Sequence, residues 1–528
     1  MPIPTPKSGA KPPPAPEPTT HHSPMPTTRR TLRLKPPDAS ILWFTVIFAA
    51  ISFLVALIPI LANDFWWHLQ IGTWIDTRGQ IPTTNLFAWT LPADQPFFYG
   101  AWLGEYLYGL LHRWGGLELI IFARNLMFMA ALWLVGWEAR RRSGSWRIAA
   151  LAILLIYAMT LNNLTLRPQN WVWLPFVLTC LLLNRFADGC LKRGWLLLIP
   201  LLMAFWVNIH GSFVLSPALV GIFFCGEGLR RLLKQPGARS QVEIAWLAGV
   251  GLLTALAVLA NPRGVNILAY VRGLMLDPSS QTLIAEWQSP TLDGIPNTVF
   301  FASILLLLVA LIYAHQRPSP TDLLLTLAFL WLAWSGQRYV VWYAIATMPL
   351  LAQTISRLPN PLPPLASPRS WVNAVLCLLI MIPVLLAQPW LVESLPLPET
   401  YWQQVQSNSN EGPLVAADTP TTAAEHLQAN PGGHLFNEMG YGSYLIWAVP
   451  EQGVFIDPRI ELYPYQQWQD YIQISHALNY NALLAQYGAD RILLSIALQP
   501  ELASALANDP AWRLEYSDAY AQLWGAVK

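Results

Sequence analysis

The sequence predicts an α-helical polytopic membrane protein of about eleven transmembrane helices, followed by a small α/β domain outside the cytoplasm. Three observations predict this class. The 528 residues are 54% hydrophobic and 12% charged, against about 25% charged in ordinary soluble domains. Apolar runs recur from Ile41 to Trp390 and then stop. The 26 Trp suit a chain that meets two membrane–water interfaces, where indoles collect.

A span needs about 20 mostly apolar residues. Spans are expected near 41–62, 117–137, 147–162, 170–186, 195–210, 213–229, 242–260, 297–314, 321–336, 339–356 and 371–390. The tail 1–39 is basic and Pro-rich without apolar periodicity, so it is expected to be disordered and cytoplasmic. The first run is long for a signal-peptide core and has no evident small-residue cleavage site, which makes it a retained anchor.

Lys and Arg placement orients the bundle. One set of loops carries fourteen, among them Arg140, Arg141, Arg142, Arg230, Arg231 and Arg357. The opposite set carries six: Arg78, Arg113, Arg167, Arg263, Arg272 and Arg338. The richer set should be cytoplasmic, and an odd span count then places 391–528 outside. The expected organisation is a tail 1–39, a transmembrane region 40–390 with outer loops 63–116 and 261–296, and an extracytoplasmic domain 391–528.

Loop 63–116 is too polar to span. Within it Phe65, Leu69, Trp74 and Ile75 recur at helical spacing over Asp64–Arg78. Ala101–Trp114 is a second candidate helix, and both suit the membrane interface. From Pro413 onward His434–Phe436, Gly453–Ile456 and Arg491–Ser495 read as short strands. Helices are expected near Tyr465–Tyr487 and Pro500–Asn508, with a closing hairpin over Trp512–Trp524. Gly432-Gly433 and Gly440-x-Gly442 read as turns, because no phosphate-binding glycine loop is present.

A net charge of +1 points to no nucleic-acid partner. The four cysteines all lie in or beside apolar runs, and none shows metal-type spacing with histidine.

Polar groups at membrane depth are costly and are therefore candidates for function. Here they gather at the expected outer ends of spans: Asn63 to His68, Asn162 and Asn163, Arg167-Pro168-Gln169, Asn208 and His210-Gly211, Asn261-Pro262-Arg263, and Gln337-Arg338-Tyr339. The topology places all of them on one side, as a shared cavity would require. Each also has a plain reading. Asp64 could simply cap the helix that follows, Trp66 and Trp67 could anchor at the interface, and Arg167 and Arg338 could snorkel. Arg124, inside the second expected span, should face protein.

This layout resembles the GT-C glycosyltransferases, which include protein O-mannosyltransferases, aminoarabinose transferases and oligosaccharyltransferases. Segments Asp64–Gly72, Arg167–Gln169, Trp206–Phe213, Glu286–Pro290, Asn437–Trp447 and Val454–Tyr463 are similar to uncharacterised bacterial membrane proteins grouped there. The resemblance implies a catalytic acid after the first span, which carries onto Asp64. Position 63 is Asn, so no acidic pair adjoins it, and Glu286 or Glu105 would have to serve as a second acid. The oligosaccharyltransferase Trp-Trp-Asp-Tyr-Gly signature is absent.

The implied reaction moves a sugar from a polyprenyl-phosphate donor to an extracytoplasmic glycan, lipid or protein acceptor, in a bacterial plasma membrane. Direct displacement with Asp64 as general base would invert the anomeric centre. Arg338, Arg263 and Arg167 are candidates for the donor phosphate, and His68, Gln169, Asn208 and His210 for other parts of the cavity. No cofactor is implied with certainty, and a divalent cation is admitted. A transporter or a non-catalytic assembly protein could use the same bundle, but a transporter usually places its polar groups near the midplane and often shows internal repeats.

Overall fold

Runs of Leu, Ala, Ile and Val offer no side-chain partner for a backbone amide, so in an apolar setting each closes its hydrogen bonds on itself as a helix. The computed structural model describes residues 1–2, 39–359, 370–405 and 412–527. It divides into two units, Met1–Pro36 and Pro37–Lys528, and every element below belongs to the second. The expected tail 1–39, except residues 1, 2 and 39, lies outside the described residues.

Among the described residues, five helices are long and apolar enough to cross a bilayer: Trp102–Ser143, Pro168–Ala187, Gly211–Leu232, Gln241–Ala260 and Gly294–Tyr313. Six further apolar helices are shorter: Ser40–Ala56, Trp146–Met159, Arg193–Trp206, Asn266–Leu276, Pro320–Ser335 and Trp371–Leu386. By length and composition, then, five of the expected eleven spans qualify. Their outer faces remain apolar. Gly294–Tyr313 exposes Leu305, Leu308, Val309 and Ile312, a surface suited to lipid. The expected helix 101–114 and span 117–137 join in one helix, Trp102–Ser143, which leaves helical geometry at Gly115 and Gly116. Arg124 does face protein, donating to the carbonyls of Val55 and Ile58 at the end of the first helix.

The outer-loop helix forms over Phe65–Arg78 and buries Phe65, Trp66, Trp67, His68, Leu69 and Ile71. It therefore packs inside protein. Trp66 and Trp67 are 0% and 8% exposed, which removes them as interface anchors.

In the C-terminal region β1 (Leu435–Asn437), β2 (Arg491–Ser495), β3 (Trp512–Ser517) and β4 (Ala521–Ala526) form one sheet of order β1-β2-β4-β3. β1 and β2 are parallel, and the other pairings are antiparallel, including the expected hairpin. Three expectations change. Gly453–Ile456 is not a strand of this sheet, because Val454 bridges instead to Ala88 of the outer loop. Gly440-Tyr441-Gly442 is not a turn and lies inside the helix Met439–Ala448. The expected helix Tyr465–Tyr487 breaks into Tyr465–Ser475 and Tyr480–Tyr487 at Asn479, whose φ is +51°.

The C-terminal region is joined to the outer loop along its length. Ile60 bridges Val415 in parallel, its N–H donating to the Leu414 carbonyl and its carbonyl accepting from the Ala416 N–H. Trp89 stacks on His434 at 4.3 Å and donates to the Leu435 carbonyl. Arg459 and Asp457, both fully buried, pair at 2.7 Å beneath the rings of Trp67, Phe87 and Phe97.

Candidate active site

The helix Phe65–Arg78 and the first turns of Trp102–Ser143 approach more closely than side chains would allow. A methyl group on Gly72 would collide with the Glu105 carbonyl, and one on Gly109 with Gly72 itself. His68 and Glu105 each lie one turn before these glycines, so the close approach brings them together. His68 Nδ1 lies 2.9 Å from Glu105 Oε1, and Glu105 is fully buried. Burial, followed by the charge of Arg167, holds the His68 imidazole well below its ordinary pKa, so it is neutral at physiological pH.

A cavity of about 390 Å³ opens in front of this pair. The expected site residues Asp64, His68, Glu105, Arg167, Gln169, His210, Glu286 and Arg338 all line it. Asp64 enters from the turn after the first helix. Arg167 is held at the start of a 3-10 turn, where its backbone N–H donates to Asn170 Oδ1 at 2.9 Å. Its guanidinium serves two acids. Nη1 bonds both Glu286 oxygens, at 2.7 and 2.9 Å, and Nε lies 3.5 Å from Asp64 Oδ2. The two carboxylates keep Arg167 firmly protonated, with Asp64 the larger influence.

Arg338 sits differently. Its guanidinium lies 4.3 Å from the centre of the Trp287 ring, and among the described residues no carboxylate is within ion-pair distance. His210 accepts at Nδ1 from the Ser212 backbone N–H, at 3.2 Å, which assigns its proton to Nε2. Burial, with Arg338 and Arg167, lowers its pKa to about 3.

Two expected residues do not line the cavity. Asn208 lies behind it, accepting from Trp102 Nε1 at 2.9 Å and from Asn261 at 3.2 Å, and so braces three segments. Arg263 is exposed, 4.3 Å from the centre of the Phe98 ring, whose other neighbour is Tyr270. Sequence reasoning missed Tyr270 and Trp287 in the wall, since an aromatic residue near an interface carries no distinguishing signal, whereas Tyr339 lines it beside Arg338. Glu461 entered that reasoning only as part of the segment Val454–Tyr463. In the structure Glu461 lines the cavity with Met439, Pro458 and Ile460, and accepts from Tyr270 Oη at 3.0 Å.

A divalent cation does not fit these residues. The two neighbouring acids, Asp64 and Glu286, already share the Arg167 guanidinium, and among the described residues no cluster of three His, Cys, Asp or Glu is placed to hold a metal.

No protein-family model and no curated protein sequence matches the chain. Solved structures do. The oligosaccharyltransferase AglB from Archaeoglobus fulgidus, in complex with an inhibitory peptide and a dolichol-phosphate, is 14% identical. Its match covers 92% of this chain and 74% of its own, with a TM-score of 0.47. ArnT from Cupriavidus metallidurans, bound to undecaprenyl phosphate, is 14% identical over 92% of this chain and 98% of its own, with a TM-score of 0.49.

Proposed function

We propose that the protein transfers a sugar from a polyprenyl-phosphate carrier to an acceptor hydroxyl or amide outside the cytoplasm. The observation that carries this reading is the division of charge within one cavity: Asp64 on one wall, and on another a guanidinium, Arg338, that has no carboxylate partner among the described residues. Around them the wall is mixed. Leu274, Met275, Leu332 and Ile284 offer apolar surface to a lipid chain, while Trp67, Trp287 and Tyr270 offer ring faces and polar tips to a sugar.

In this reading the acceptor heteroatom attacks the anomeric carbon and passes its proton to Asp64. The bond from that carbon to the phosphate oxygen breaks, and the polyprenyl phosphate leaves with the electron pair. A carboxylate placed as general base contributes about 10²–10⁴ in rate. Arg338 would meet the charge that grows on the phosphate, with Trp287 holding the guanidinium plane. Displacement from one face with a single base inverts the anomeric centre. The residues that surround Arg167 favour a role in organising Asp64 and Glu286 over one in holding the donor, because its charge is already shared between them.

The test is transfer by the purified full chain in nanodiscs, offered radiolabelled polyprenyl-phosphate sugars and a panel of acceptors. Wild type should release polyprenyl phosphate and label an acceptor. Asp64→Asn should bind donor yet fail to transfer. Full transfer by Asp64→Asn would sink the assignment of the base, and an inert wild type across all donors would sink the reaction.

A further inference from the structure

Asp64 stands at the position where an aspartate ordinarily turns back to cap its own helix, and it does not do so. A capping Asp has extended backbone angles, and its carboxylate accepts from the N–H two or three residues on. Asp64 has helical angles, φ −50° and ψ −29°, and makes no side-chain cap. The first-turn donors still need partners, since a buried N–H without one is costly. Two other residues supply partners for two of them. Asn63 Oδ1 accepts from the Phe65 N–H at 3.2 Å. The Trp67 N–H, the third of the helix, donates to Ser443 Oγ at 3.1 Å, across 376 positions of sequence.

Ser443 is fully buried and lies on the helix Met439–Ala448. Gly440, Ser443, Tyr444 and Trp447 follow the spacing i, i+3, i+4, i+7, which is one face of a helix. That whole face addresses the segment around Asp64. Gly440 abuts the Ala62 carbonyl so closely that a methyl there would collide with it. Tyr444 and Trp447 pack on the Trp66 ring at 4.9 and 4.8 Å. The ring contacts and the glycine contact together set Ser443 opposite the Trp67 amide.

We propose that Ser443 is a positioning residue. Its hydroxyl caps the Phe65–Arg78 helix in place of Asp64 and so leaves the Asp64 carboxylate free to face Arg167 and the cavity. The geometric statement stands on the contacts above, and its consequence for rate rests on the proposed transferase reading. Without the hydroxyl, the nearest ordinary acceptor for the Trp67 N–H is Asp64 itself. Capping would draw that carboxylate away from Arg167 and from the reacting groups.

The experiment pairs structure with kinetics. A high-resolution cryo-EM map of full-length Ser443→Ala should show the Asp64 carboxylate within hydrogen-bond reach of the Trp67 N–H and withdrawn from Arg167. In transfer assays kcat should fall about tenfold to a hundredfold with KM for the donor unchanged, the size of loss that misplacing a reacting group by about 1 Å brings. Ser443→Cys keeps the volume but is a weak acceptor, and should fall between wild type and Ala. It also serves if Ala leaves too little folded protein. An Asp64 still facing Arg167 in the Ala or Cys map overturns the proposal. So does a loss expressed in KM alone. A wild type without transferase activity whose Ser443→Ala map nevertheless shows the turned carboxylate supports the capping role and removes only the reading of the reaction.

Discussion

The two arginines that enter the cavity differ in what already surrounds them. Arg167 is held by Asp64 and Glu286. Arg338 rests on the Trp287 ring and, among the described residues, has no acid within ion-pair distance. A guanidinium whose fork is occupied has little left for an incoming phosphate, whereas one supported only by an aromatic face still presents its donors. The difference separates two surroundings that residue type alone does not distinguish, and in the proposed reading it assigns Arg167 to organising acids and Arg338 to meeting an anion.

The largest effect should come from the acid itself. Asp64→Asn is expected to lower transfer by about 10²–10⁴, read as turnover of labelled donor, with donor binding retained. Next comes Arg167→Ala, which leaves Asp64 and Glu286 as facing like charges. Turnover should fall about tenfold to a hundredfold through misplacement of the base. Adding Glu286→Gln should recover part of that loss by removing the repulsion. If Arg167→Ala instead weakens donor binding and leaves turnover intact, the two arginines have been assigned the wrong way round.

Arg338→Ala should weaken binding of fluorescent polyprenyl phosphate by about tenfold or more, as losing a charged hydrogen-bond donor typically does. Lys should restore it only in part, since a point charge lacks the planar fork. Unchanged affinity in the Ala variant would remove Arg338 as the phosphate site.

The smallest effect concerns His210. Its pKa is lowered to about 3 by burial and by the two arginines, against about 6.5 unfolded. Below pH 6.5 the unfolded chain takes up a proton that the folded site refuses, so the stability this site contributes is complete above that pH. It is lost as pH falls toward 3. His210→Gln should flatten the fall in Tm over that window and leave the transfer rate between pH 7 and 8 without a new titration.

Much of the architecture was legible because it is periodic or compositional. The helix after Asp64 follows from Phe65, Leu69, Trp74 and Ile75 at helical spacing, and the closing hairpin from its alternation. Asp64, Arg167 and Arg338 could each be singled out because a charged residue at the end of an apolar run is conspicuous, whereas Glu286, inside a long loop, came only from the family resemblance. Their pairing could not be read. Arg167 and Glu286 are 119 residues apart, and nothing in either neighbourhood names the other. The glycines Gly440 and Gly442 read locally as a turn, yet they lie in a helix, and they are glycines because the Ala62 and Ile456 carbonyls leave no room for a side chain. Gly453–Ile456 reads as a strand, but its neighbour is Ala88 of a distant loop and it stays outside the sheet.

By itself, then, the sequence determined that this chain makes apolar helices, a polar loop after the first of them, a small C-terminal sheet and a set of polar groups at helix ends, since hydrophobic period and turn chemistry act over a few residues. Whether Asp64 caps a helix or faces a cavity was decided only by the tertiary structure. An aspartate at a helix start satisfies both descriptions locally. The choice between them falls to a serine hydroxyl, 376 residues from the amide it accepts, that long-range packing alone brings into place.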